Sequence, residues 1–320
     1  MCFPCGTSEP RRQPHRAAIN HHREESRMAR VDVYQLVTDR IIEQLDQGVV
    51  PWRMPWLVRG NAPVNWATQR LYRGINRFLL PPGGEYATFL QIQKAGGRVK
   101  KGEKGYIVVL WKPYEVEEEK DGETIKQTRL FLKYYTVFEI NTQCVGLESR
   151  RPKLLEFDHD PIEEAERIVA GYKSAPKIRY APGQAFYRPS MDLIQMPPLK
   201  DFPKAEEFYS TLFHEMVHST GHASRLDREG VTNSDGFGNE KYSFEELIAE
   251  LGAAYLCAEA GIDNSTIENS SAYIAGWLRK FRNDKTMIIR AASQAQKAAD
   301  FILGVGAEDE AEEESEKAVG

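Results

Sequence analysis

The chain reads as an α+β protein of two domains, a small α/β domain in its first half and a mostly helical domain with a short sheet in its second. Three observations carry that reading. With 320 residues and 41% apolar content, the chain is long enough for about two cores. Helix-period and strand-period apolar patterns occur in both halves. Between them, the stretch around Arg150-Arg151-Pro152 carries neither period. The expected layout is a disordered extension at 1–27, a first domain at 28–146, a linker at 147–159, a second domain at 160–305 and a disordered acidic tail at 306–320. The two domains are expected to act as separate modules.

Taken in order, Val33, Leu36, Val37, Ile41 and Leu45 share one face of a helix from Asp32 to Gln47, with Asp32 as its cap. A short helix is expected from Thr88 to Ala95. Ile107–Trp111 and Arg129–Ile140 read as a hairpin, and Asp121-Gly122 is its turn signal. Its acidic tip, Glu115 to Glu123, is expected to be a solvated loop that points away from DNA. In the second half Asp160-Pro161 opens a helix. Lys177–Tyr180, Ala185–Tyr187 and Leu193–Met196 read as short strands, punctuated by Pro182-Gly183 and Pro189-Ser190. Ser271 to Leu303 reads as strongly helical, and no internal repeat is visible.

Chemistry is concentrated in His214-Glu215-Met216-Val217-His218, which lies in the apolar segment Phe208–Val217 and is followed by Gly221 as a helix stop. Residues four apart share a helix face, so both imidazoles can grip one metal ion while Glu215 reaches the water beside it. This is the pattern of a zinc peptidase. A catalytic zinc needs a third protein ligand; His222 follows His218 too closely, and Ser224 stands where a metzincin would have its histidine. The pattern resembles the gluzincin group of zincins, in which a later helix carries Glu-x-x-x-Asp. That resemblance implies Glu246 as third ligand and Glu250 as the residue that orients a ligand histidine. Two alternatives stay open: Glu246 completes a capping box with Ser243, or the two glutamates exchange roles. With Zn2+ as cofactor, Glu215 would take a proton from the attacking water and pass it to the leaving amine. Tyr187 or Tyr180 could meet a substrate oxyanion, although a sheet tyrosine is more often packing.

The net charge of -5 hides an asymmetry. Between Pro51 and Lys112 there are eleven bases and two acids, Glu85 and Glu103, a balance of +9. Aromatic residues are interleaved with these bases, a composition suited to stacking unpaired bases and neutralising phosphates. The residues assigned to DNA contact are Trp52, Arg53, Trp56, Trp66, Tyr72, Arg73, Asn76, Arg77, Lys100, Lys101, Lys104 and Trp111. The loop Arg98 to Gly105 is the strongest part, since its glycines let backbone approach phosphates among lysines. The bland alternative, a solvated basic face over an aromatic core, would give the same counts.

No stretch approaches the ~20 apolar residues of a membrane span, and Met1 to Asn20 lacks the apolar core of a signal peptide. Four scattered cysteines, Cys2, Cys5, Cys144 and Cys257, fit a reducing cytoplasm. The spacing of Cys2, Cys5, His15, His21 and His22 matches no standard zinc finger, and Met28 is a second candidate for the biological start.

Several segments together resemble a known family. Pro51-Trp52-Arg53-Met54-Pro55-Trp56, Tyr72-Arg73-Gly74-Ile75-Asn76, Ala87-Thr88-Phe89 and Lys101-Gly102-Glu103-Lys104-Gly105 resemble the N-terminal single-stranded-DNA-binding domain of ArdC-type antirestriction proteins, which also occurs in TraC-type plasmid primases. His214 to Leu226 and Phe244 to Leu251 resemble that family's zincin metallopeptidase-like domain. The resemblance covers about Met28 to Leu303; the N-terminal extension and the acidic run Glu308 to Glu316 depart from it. It implies a mobile-element protein that protects incoming DNA in conjugation from host restriction, with single-stranded DNA as partner. Two other functions remain in view: a zinc protease cleaving a host or element protein, localised by DNA, and a replication or priming accessory. No primase carboxylate cluster is recognisable, which counts against priming itself.

Overall fold

A computed structural model of the chain describes residues 31–53, 62–120, 123–151, 161–232, 240–262 and 271–305. The expected N-terminal extension and acidic tail, most of the linker, Trp56 and the Arg53 side chain lie outside what is described. Helix α1 (Val33–Asp46) buries Val37, Ile41 and Leu45, the stripe its spacing predicts. After a 3-10 turn at Pro51–Arg53 come strand β1 (Val64–Asn65), helix α2 (Asn76–Leu79), strand β2 (Glu85–Thr88) and helix α3 (Phe89–Lys94). Thr88 begins α3 with a capping box, its hydroxyl accepting from Gln91 N while Gln91 Oε1 accepts from Thr88 N.

Strand β3 (Arg98–Val99) precedes a hairpin of β4 (Tyr106–Lys120) and β5 (Glu123–Glu139), longer at both arms than its apolar run predicts; the expected loop from Glu115 to Glu123 is instead strand up to Lys120 and again from Glu123, because backbone pairing continues from Glu115↔Thr128 to Lys120↔Glu123. Helix α4 (Ile140–Gln143) and strand β6 (Cys144–Val145) follow, and β6 pairs antiparallel with β3. The main sheet has the order β1-β2-β5-β4, with β1 and β2 parallel and the other pairs antiparallel.

Helix α5 (Pro161–Gly171) opens the second region, and a three-stranded sheet follows from β7 (Lys177–Tyr180), β8 (Phe186–Arg188) and β9 (Leu193–Met196). Its order is β7-β9-β8, parallel then antiparallel, and Ile194 and Met196 of the central strand are fully buried. Helix α6 (Ala205–Thr220) packs on β8 and β9, and then come α7 (Glu229–Thr232), α8 (Glu240–Ala260), α9 (Ser271–Asn283) and α10 (Met287–Leu303). Helix α8 is already running at Glu240, so Ser243 is interior and the expected capping box with Glu246 does not exist. The helical stretch expected from Ser271 to Leu303 is broken in the middle, where Asp284 Oδ1 accepts from Thr286 N and Thr38 of α1 donates to Lys285 O at 2.6 Å.

Helices α6 and α8 approach closely at Gly252, where a Cβ would lie 2.7 Å from Val217 Cγ2. The described residues from Val33 to Val305 form one compact unit. The N-terminal region and the helical region both contribute to the largest apolar cluster. Trp52, fully buried, meets Trp277 and Phe281 of α9 edge-on at 6.2 and 6.1 Å, and Phe78 of α2 stacks on Tyr255 of α8 at 5.3 Å. Two smaller clusters, around Tyr86 and around Ile92, serve the main sheet and α3.

Candidate metal centre and basic surface

Helical spacing puts His214 and His218 one turn apart on α6, and the close α6–α8 packing brings Glu246 against them. His214 Nε2 and His218 Nε2 are 3.1 Å apart; Glu246 Oε2 is 3.6 Å from the first and Oε1 is 3.5 Å from the second. A tetrahedral ion with ligand bonds of about 2.0–2.1 Å has ligand–ligand edges of about 3.3 Å. At 3.1 Å the two imidazole nitrogens lie within hydrogen-bond distance of each other and close to the edge a shared ion would set. Among the described residues, these three are the group whose ligand atoms converge, all within 4.8 Å. Glu215, on the same turn, is 8% exposed.

The electrostatics agree with the donor set. Burial disfavours charge on the His218 ring, but Glu245 and Glu246, with Glu215 nearby, outweigh it and raise its pKa to about 10. Burial pushes the Glu246 carboxyl up, and the two histidines pull it well below the usual carboxylate range. The pocket is built to hold positive charge, and a cation bound by the three side chains meets the same need.

One carboxylate at this site is not announced by the motif spacing. Glu245 Oε1 lies 3.3 Å from His218 Nδ1, and Glu245 also accepts from Arg228 Nε at 3.0 Å and Arg228 Nη2 at 2.6 Å. Arg228 donates further to Thr220 Oγ1 and Val217 O, which fixes it to the end of α6. Glu250, expected to orient a ligand histidine, instead accepts from Tyr273 Oη at 2.8 Å, and Tyr273 Oη in turn accepts from Trp52 Nε1 at 3.2 Å. The carboxylate that meets His218 Nδ1 is Glu245. Adjacent glutamates at 245 and 246 reach the two nitrogens of the one His218 ring, and the partner that distinguishes Glu245, Arg228, is seventeen residues away in sequence. The Tyr187 hydroxyl donates to Asp192 Oδ1, and Tyr180 stacks on Phe208.

The residues assigned to DNA contact divide sharply. Trp52 is in the shared core, which removes it as a stacking platform. Asn76 uses its side-chain amide as a strand would, donating to Val109 O and accepting from Val109 N. Arg73 is ion-paired with Asp300, and the Arg77 guanidinium packs over the Tyr255 ring. Tyr72 is half-buried against Tyr86, Trp111 meets Tyr34 edge-on, and Trp66 donates to Glu148 O with Arg150 over its ring. Lys100, Lys101 and Lys104 are exposed. Glu85, one of the two acids of the basic segment, is buried among Gln69, Ser149 and the Arg150 amide.

A helix bearing two facing histidines and a buried glutamate, joined by a carboxylate from a second helix, defines a zincin-like metallopeptidase domain. A family model described as a zincin-like metallopeptidase matches residues 163–294, and one described as the N-terminal domain of anti-restriction factor ArdC matches residues 31–138. The metal-free crystal structure of the antirestriction ArdC protein from the R388 plasmid is 39% identical with a TM-score of 0.67, covering 85% of this chain and 96% of that one. Its Mn(II)-bound form is 38% identical with a TM-score of 0.66, covering 85% and 97%. The uncharacterized protein y4eC of Sinorhizobium fredii (strain NBRC 101917 / NGR234) is 35% identical over 289 residues, 85% of this chain and 91% of that protein. A DNA primase TraC of Escherichia coli is 34% identical over 303 residues, 88% of this chain but 20% of the primase. The chain belongs to the ArdC-type antirestriction family.

Proposed function

We propose that this protein binds single-stranded DNA of a mobile element in the cytoplasm and shields it from host restriction, and that it carries Zn2+ at His214, His218 and Glu246. The observation that carries the first part is the likeness to antirestriction ArdC, 39% identical over 96% of that chain. The exposed lysines of the 100–104 loop support the DNA partner, because phosphate neutralisation needs cations that no internal carboxylate has claimed.

The two imidazoles and one carboxylate fit a first-row divalent ion, and imidazole-rich donor sets favour zinc over the harder manganese. When bound, such an ion would supply Lewis acidity to a water and an amide carbonyl. Were an amide cleaved there, Glu215 would hold the proton taken from the water and deliver it to the leaving nitrogen. Glu245 and Arg228 keep the His218 ring turned so that Nε2 faces the ligand cluster. ArdC from R388 has been crystallised with Mn(II), so metal identity is tested directly by elemental analysis of protein purified without added metal.

A second reading, a working protease, is favoured by Glu215, since a purely structural metal site has no use for a buried base beside its ligands. The deciding experiment for the main reading is plasmid transfer into restricting and non-restricting recipients. Transfer should rise only in the restricting recipient when the protein is present; an equal effect in both, or none, rules out antirestriction.

A further inference from the structure

Among the described residues, exposed apolar and basic side chains occur together on helix α3 and the turns that follow it, apart from the tryptophans first assigned to DNA. Helix α3 turns Ile92 inward, 1% exposed, and holds Phe89 and Leu90 outward at 58% and 52%. Lone exposed apolar residues are ordinary. Here two adjacent ones occupy the outer face of a short helix whose inner face is already filled.

The surroundings supply charge. From Phe89 to Lys104 there are five bases, Lys94, Arg98, Lys100, Lys101 and Lys104, and one acid, Glu103, a balance of +4. All five bases are exposed. Glu103 accepts from Gln143 Nε2 at 3.1 Å, which turns its carboxylate toward α4. The segment is also held in place. Helix α3 packs on β3, β3 pairs with β6, and Lys100 binds α4 through N to Gln143 O at 2.9 Å and through Nζ to Thr142 O at 2.6 Å. Gly96 and Gly102 turn the chain at φ of +81° and +92°, and a Cβ at either would meet open space, so the backbone at both turns can be approached closely.

We propose that this face, Phe89 and Leu90 with Arg98, Lys100, Lys101 and Lys104, is where an unpaired DNA strand lies. The inference rests on the proposed DNA-binding function and assigns it a surface. Phe89 offers an uncommitted ring for a base to stack on, Leu90 covers the next base, and the basic turns track the phosphates. Duplex DNA buries its base faces and would find only the cations, so the pairing of exposed ring and cations selects the single strand. The Trp52, Trp66, Tyr72 and Trp111 rings are packed against protein and cannot serve this purpose without unpacking.

The test is a fluorescence-anisotropy titration of the full chain with labelled oligothymidine and with a labelled duplex, over a range of salt. Phe89→Ala with Leu90→Ala should weaken single-strand binding by about tenfold or more at unchanged salt slope. Phe89→Trp should restore it and show fluorescence quenching on binding. Lys100→Gln with Lys101→Gln should lower the salt slope by about one for each phosphate no longer neutralised. Phe89 and Leu90 are exposed, so their truncation leaves the fold in place, whereas Lys100→Gln gives up the Nζ bond to Thr142 O; thermal melts of both variants separate loss of anchoring from loss of charge. If the parent protein binds but the Phe89/Leu90 variant binds equally, the surface assignment fails and the DNA-binding reading stands. If the parent binds no single strand, both fail.

Discussion

Glu245 joins two partners at once, His218 Nδ1 at 3.3 Å and the Arg228 guanidinium at 2.6 Å. Both members of the ion pair are nearly sealed from water, at 6% and 5% exposed. Replacing Glu245 by Ala strands a buried guanidinium and should cost about 3–5 kcal/mol in urea unfolding. Glu245→Gln keeps the shape but not the charge, and should weaken metal binding about 10–100-fold in a chelator competition. Unchanged metal affinity in folded Glu245→Gln protein would show that the ring needs no such partner.

Metal addition gives a second expectation. An ion at about a hundred times its dissociation constant stabilises by about 2.7 kcal/mol, which raises Tm by about 4–5 °C for a chain of this length. His214→Ala and Glu246→Ala should abolish the increment, and Glu215→Gln should keep it while removing any peptidase activity. A full increment in Glu246→Ala would eliminate that carboxylate as a ligand.

Trp52→Ala should behave as a core truncation. Its ring lies against Trp277 and Phe281 and its Nε1 donates to Tyr273 Oη. A drop of about 3–5 kcal/mol in stability is expected, with single-strand affinity of the folded fraction within about twofold of the parent. A large fall in affinity in protein of unchanged stability would return Trp52 to the DNA site.

Acid should act on the clamp between Asp192 and Arg225. Burial raises the Asp192 carboxyl, but hydrogen bonds from Arg225 and Tyr187 and the Arg225 charge reverse this and hold it below its ordinary value. A depressed folded pKa contributes stability that is present above the unfolded value, about 4, and is lost as pH falls through the lower folded one. Asp192→Asn, which tolerates the left-handed φ of 44°, should therefore be less stable than the parent at pH 6, with the gap closing toward pH 3. A gap independent of pH would mean the charge contributes nothing.

Much of this was legible in the residues, because the informative patterns were local. The α1 stripe, the α6 motif and the strands at Lys177–Tyr180 and Leu193–Met196 follow from spacing alone. What could not be read depends on distant partners. The break between α9 and α10 has no glycine or proline, and part of what satisfies it is Thr38, 247 residues away. Composition counted Trp52 and Phe89 alike as aromatics among bases; only packing distinguishes a ring under α9 from one facing solvent. The glutamate pair at 245 and 246 was resolved by Arg228, whose approach to Glu245 no periodicity announces.

The joint at Trp52 bears on how such chains are inherited. A recombination event that grafted the first region onto a different partner would expose the Val37, Ile41 and Leu45 stripe and an indole with no receiving helix. The two regions are therefore expected to travel between genes as one cassette. Within the TraC primase, which matches this chain over 303 residues yet is about five times longer by coverage, the match runs through both regions together.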